Sequence, residues 1–232
     1  MGKCKTISNI EWKLREADFF LEKMRQIEHY EIQPYDFFAY NCYFNAFATA
    51  ARTVTLTIQY VMAETKGFAV WYEKEQEKLS QNPLAKKLLT YRNDIVHKGD
   101  FFVRSGSMRH TEGQGIRFCH FFFNLEGASL DNDADTVYSL AWNYMTLLVA
   151  LAARLYTDFG TEVDLLDPDR FYTPENLVAK GHTIEDVEYG LGLPRGWTVT
   201  EGVSPEERLK LLLERIPKPE VKELFRKYAV AT

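Results

Sequence analysis

An arginine, a carboxamide and an imidazole occur together in one short run, Arg92-Asn93-Asp94-Ile95-Val96-His97. An imidazole has an ordinary pKa of ~6.5, so it can take or give a proton at neutral pH. A guanidinium keeps its charge and offers a planar fork of donors to phosphoryl oxygens as negative charge grows on them. The chemistry these groups suit is transfer at a phosphate. His97 would be the general acid/base, Arg92 the transition-state stabiliser, and Asn93 the group that positions His97 or a phosphate oxygen. The same residues also fit ordinary duties. Arg92 could pair with Asp94 or Asp100, and His97 near a helix C-terminus would gain ~0.3–1 kcal/mol from the helix dipole.

The element that must carry them is a helix. Asn82 is a capping residue, Pro83 suits the first turn and Gly99 suits the stop. At about 100° per residue, Leu84, Leu88, Tyr91 and Ile95 fall within roughly 40° of one another and form the core stripe. Arg92 lies about 80° round from Leu84, Val96 about 120°, Leu89 about 140°, Asn93 about 180° and His97 about 220°. The helix therefore has a second surface, in which two apolar residues stand beside the arginine, the asparagine and the histidine. Asn93 and His97 are four apart and neighbours on it.

The run resembles the R-x4-6-H motif of HEPN domains, with the polar residue that commonly follows the arginine. The setting is similar too: a long preceding helix containing Ala50-Ala51-Arg52, an aromatic pair Trp71-Tyr72, and the motif near the end of a late helix. The resemblance spans about residues 8–158. It implies a helical bundle that dimerises and so brings two motifs into one cleft. It also implies a metal-independent endoribonuclease without a cofactor. The ribose 2′-hydroxyl attacks the adjacent phosphate, leaving a 2′,3′-cyclic phosphate and a 5′-hydroxyl end. A toxin or defence effector restrained by an antitoxin or other regulatory protein is the corresponding biological setting. Lys98, Arg104, Arg109 and His110 are weaker candidates for guiding RNA. The competing expectation is a non-catalytic helical binding or sensor module.

Charge bears on both readings. The net charge is −5, without the basic surplus of a general nucleic-acid binder. Between Lys86 and His120, however, seven basic residues stand against three acidic ones. A local positive field in an acidic chain suits a small phosphate contact better than a long duplex track. An ordinary solvated surface explains the same charges.

The remaining elements build a mainly α protein. Ser8 and Glu11 have capping-box spacing before a stripe of Ile10, Leu14, Ala17, Leu21 and Met24, ended by Pro34. A long helix over about 35–64 and a shorter one over about 68–79 follow. Residues 101–125 read as a β-hairpin inserted between helices. Asp131 or Asp133 caps a fifth helix running to about Asp158. Glycine and proline punctuate 161–204, which reads as an irregular extension. Ser204-Pro205-Glu206-Glu207 then opens a short helix, and a last one carries Val221, Leu224 and Phe225. Residues 8–160 thus form a bundle and 161–232 an extension packing on it.

Other patterns carry less. Asp131 to Asp135 opens like a calcium loop but lacks Gly and Glu at the later loop positions, and helix capping explains it better. His110, His120 and Cys119 lack the paired spacing of a zinc site, so no metal is expected. Met1-Gly2-Lys3-Cys4-Lys5-Thr6 fits a loose lipidation pattern. The three cysteines show no framework, which points to reduced thiols and a cytoplasmic protein. The apolar run 140–156 is interrupted by Asn143, Thr146 and Arg154, so a buried helix is expected there and not a membrane span.

Overall fold

A computed structural model describes residues 5–29, 35–99, 101–111, 115–122, 133–215 and 221–229. The lipidation pattern lies partly outside these residues, as do Asp131 and Asp100. These residues are mainly α-helical with one small sheet. In chain order the elements are α1 (Ser8–Glu28), α2 (Phe37–Met62), α3 (Phe68–Gln81), α4 (Pro83–Lys98), β1 (Val103–Thr111), β2 (Gly115–Phe122), a 3-10 turn (Asp133–Asp135) and α5 (Val137–Asp158). Among the described residues six short helices follow: α6 (Gly160–Leu165), α7 (Pro168–Phe171), α8 (Pro174–Ala179), α9 (Ile184–Gly190), α10 (Pro205–Leu213) and α11 (Val221–Lys227).

The main core forms where α1, α2 and α5 bury matching stripes. Ile10, Leu14, Ala17, Leu21, Met24 and Ile27 of α1 are sealed. They meet Phe44, Phe47, Ala51, Val54 and Ile58 of α2 and Leu148, Val149, Ala152 and Leu155 of α5. Each such Leu, Ile or Phe contributes roughly 1.5–3 kcal/mol by leaving water. The short α11 returns to this core through Val221, Leu224 and Phe225. Asp18 accepts hydrogen bonds from Tyr228 Oη (2.6 Å) and Lys227 Nζ (2.7 Å), which fastens the end of the chain to α1.

β1 and β2 pair antiparallel from Val103↔Phe122 to Thr111↔Gly115, with an irregularity between Val103 and Ser105. Asn41 of α2 grips the start of β1 at both polar groups of one residue. Its Nδ2 donates to Val103 O (2.8 Å) and its Oδ1 accepts from Val103 N (3.1 Å). Gly106 makes room for the Phe118 ring of β2, because a Cβ there would sit 2.5 Å from it.

Two local expectations need correction. The Ser8/Glu11 capping box does not form. Glu11 turns inward and accepts from Tyr156 Oη, while Asn9 Oδ1 accepts from Thr6 Oγ1 (3.0 Å). α5 is capped by Thr136, whose hydroxyl accepts from Ser139 N (3.1 Å), and Asp133 lies in the preceding 3-10 turn. The extension after Gly160 holds more regular structure than its composition indicates. Thr173, Thr183 and Ser204 cap α8, α9 and α10, the last two in full capping boxes. With Phe171 of α7 these helices bury a second small core through Leu177, Val187, Leu209 and Leu212. No helix among the described residues is long and apolar enough to cross a membrane.

Candidate functional site

α4 begins and ends as its sequence dictates. Asn82 Oδ1 accepts from Ala85 N (3.1 Å), Pro83 occupies the first turn, and Gly99 closes the helix in the left-handed region at φ 69°. Ala85 and Leu88 are buried, and Leu84, Tyr91 and Ile95 pack against the main core. Tyr91 fixes the helix to the hairpin, with its ring 4.8 Å from Phe102 and 4.4 Å from Phe122.

The opposite face is open. Asn93, Val96 and His97 are exposed and Arg92 is half-buried. Arg92 Nη1 donates to Asn93 Oδ1 at 3.1 Å, while its Nε is buried without a hydrogen-bond partner. The pairing of Arg92 with Asp94 that the sequence allows does not occur, because Asp94 accepts from Lys98 Nζ at 2.8 Å one turn on. Lys98, an expected phosphate contact, is exposed in this surface pair. Exposed Leu89 and Val96 flank the polar residues and leave an oily strip on the same surface.

The other expected RNA contacts sit on the hairpin. Arg104 Nε donates to Phe101 O (2.9 Å) and lines a shallow groove with Phe38 and Phe101 beside the start of α2. Arg109 lies over the Phe121 ring, 5.5 Å from its centroid, and faces Arg117 across the strands. His110 is exposed near the turn, opposite Ile116. These residues belong to β1, an element distinct from the one that carries Arg92, Asn93 and His97.

Sequence spacing also missed a cleft between α2, α3 and α4. Arg52, Thr55, Tyr72, Gln76, Leu79, Lys86, Leu89 and Tyr144 line it. Arg52 lines this cleft and donates from Nη1 to Thr55 Oγ1 (3.0 Å). The signal available beforehand was the helical wheel, since Lys86, Leu89, Asn93 and His97 share the outer stripe of α4.

Elsewhere polar groups are sealed to hold elements together. Glu28 accepts from Tyr40 Oη (2.8 Å) and His120 N (3.3 Å), and the His120 ring stacks on Tyr40 with centroids 3.7 Å apart. All three side chains are essentially inaccessible. Burial, and then the Glu28 charge, push the Tyr40 phenol well above its ordinary range. Glu11 is buried against Tyr156, and its carboxyl is raised to about 7, chiefly by burial. Glu188 takes hydrogen bonds from Gly196 N and Thr198 N and closes the loop after α9. Cys42 and Cys119 are free thiols, and no group of three or more His, Cys, Asp or Glu is placed to hold a metal among the described residues.

With this geometry in place, comparison with known proteins corrects one expectation. A family model described as bacteriophage lambda protein ea47 matches residues 10–109, from α1 through α4 into β1. No HEPN model matches, so the likeness drawn from Arg92 to His97 does not place the chain in that family. The physical reason is that the motif specifies few positions. An arginine near a helix end and a histidine at its C-terminus satisfy it for reasons of helix electrostatics alone. No curated protein and no solved structure matches. Over residues 10–109 the chain is similar to the phage ea47 family, and that stretch contains Arg92, Asn93 and His97.

Proposed function

We propose that the outer face of α4 is the reactive surface of an endoribonuclease that cleaves RNA through its own 2′-hydroxyl, without a metal. One observation carries this reading. Arg92 is held by a neutral amide, with no carboxylate on it among the described residues, and His97 stands exposed on the same helix end. Both groups therefore keep their capacity for a phosphate.

In the reaction, His97 accepts the 2′-hydroxyl proton as O2′ attacks the adjacent phosphorus. The P–O5′ bond breaks, and an imidazolium returns a proton to O5′. Arg92 stabilises charge on the non-bridging oxygens, and Asn93 keeps the guanidinium oriented. Two imidazoles serve the two proton transfers best, so the working form is a homodimer in the cytosol that covers Val96. A toxin or defence effector restrained by a partner protein would use such an activity.

The test is RNA cleavage by wild type, His97→Ala and Arg92→Ala, each with its melting curve. General acid–base catalysis is worth roughly 10²–10⁴-fold, so both variants should lose at least ~100-fold while melting like wild type. Folded variants that cleave like wild type would refute the assignment.

A second reading rests on the C-terminal unit. Trp197, Thr198, Val203 and Leu211 line a cleft there, and Trp197 and Leu211 are exposed. A non-catalytic binding module would use this cleft to clasp a protein partner. It predicts that Trp197→Ala abolishes function and His97→Ala does not.

A further inference from the structure

We infer that the cleft between α2, α3 and α4 binds a nucleoside monophosphate, with the phosphate on Arg52 and Lys86 and the base against Leu79 and Leu89. The cavity is about 420 Å³, within the range of small-ligand sites. Among the described residues its lining contains two cations and no carboxylate. Arg52 has a hydroxyl as its side-chain partner, Thr55 Oγ1 at 3.0 Å, and Lys86 is exposed without an ion pair among the described residues. Two cations on one wall give a local positive field, and a phosphate matches that charge.

The remaining wall suits a nucleoside. Leu79 and Leu89 supply apolar surface, while Gln76 and Ser80 supply polar groups. The Tyr72 and Tyr144 phenols are raised by burial, so both stay protonated, and Tyr144 can donate to a ligand. Tyr72 already donates to Thr55 O (2.9 Å), which fixes one side of the cleft. Lys86 and His97 lie on one stripe of α4, about 16 Å apart along the axis at 1.5 Å per residue. A strand whose phosphate reaches Arg92 and His97 can therefore place another nucleotide in this cleft. In that form the inference deepens the ribonuclease reading and rests on it; a free mononucleotide would use the same chemistry.

The experiment titrates the full chain with AMP and, separately, with a 2′-O-methyl tetranucleotide, which lacks the attacking hydroxyl and cannot be cleaved. Binding to wild type, Lys86→Glu, Arg52→Gln and His97→Ala is read by calorimetry. Lys86→Glu changes an exposed side chain, so it folds even where Arg52→Gln does not. Lys86→Glu should weaken binding at least tenfold, and His97→Ala should leave AMP binding within twofold. Tighter binding of the tetranucleotide than of AMP identifies the RNA subsite, and equal binding identifies a free nucleotide ligand. Lys86-dependent binding in a chain that cleaves no RNA supports the cleft and removes the ribonuclease reading. No binding at millimolar ligand, or binding indifferent to Lys86→Glu, overturns the inference even where RNA cleavage persists.

Discussion

His97 and His120 lie in adjoining elements and live in opposite environments. His97 stands in solvent at the end of α4, beside an arginine that a neutral amide holds. His120 is sealed between the hairpin and the bundle, stacked on Tyr40 and 3.6 Å from the Glu28 carboxylate. Burial with a charged neighbour ties an imidazole to the fold. Exposure beside a cation held by a neutral amide leaves it available to a substrate. Residue type alone does not distinguish these roles, because partners and solvent decide them.

The comparison breaks most visibly at Glu28. Glu28→Ala strands the Tyr40 hydroxyl and the His120 amide in the core, where each unsatisfied group costs ~1–3 kcal/mol, so a loss of about 3 kcal/mol is expected. Calorimetry that finds Glu28→Ala as stable as wild type would dismiss the structural role of the sealed cluster.

A second sealed carboxyl extends the contrast to pH. Glu11 sits at about 7 in the folded chain against an ordinary 4.5, chiefly through burial. The folded state thus binds this proton more tightly than the unfolded chain does. Its stabilisation is complete below 4.5 and is lost as pH rises through 7, at most ~3 kcal/mol. Glu11→Gln should flatten that part of the stability profile. Parallel wild-type and Glu11→Gln curves between pH 4.5 and 7.5 would contradict it.

Smaller effects belong to α4. Asn82→Ala removes the cap and should cost about 1 kcal/mol in urea unfolding. His97→Ala should change stability by less than ~0.5 kcal/mol, as exposed surface substitutions do. A larger loss would move His97 into the company of His120.

How legible each region was follows the same division. α4 was readable because its signals are local: Asn82, Pro83 and Gly99 specify its ends, and the wheel separates Tyr91 from His97. Ser204 and Glu207 gave the α10 box for the same reason. Glu11 misled because its partner, Tyr156, is distant in sequence, and tertiary burial outweighed a local cap. The Glu28–Tyr40–His120 cluster joins three elements, and the Asn41 grip on Val103 joins two. No spacing rule reaches them. Thr183 and Asp186 carried the signal for α9, hidden among glycines and prolines. Three specified side chains on a helix end described a surface, and they were too few to identify a family.

The most direct test is to identify the new ends on RNA after incubation with wild-type protein in EDTA. The account predicts 2′,3′-cyclic phosphate and 5′-hydroxyl ends, absent with His97→Ala. Intact RNA, or cleavage that leaves 3′-hydroxyl ends, would contradict it.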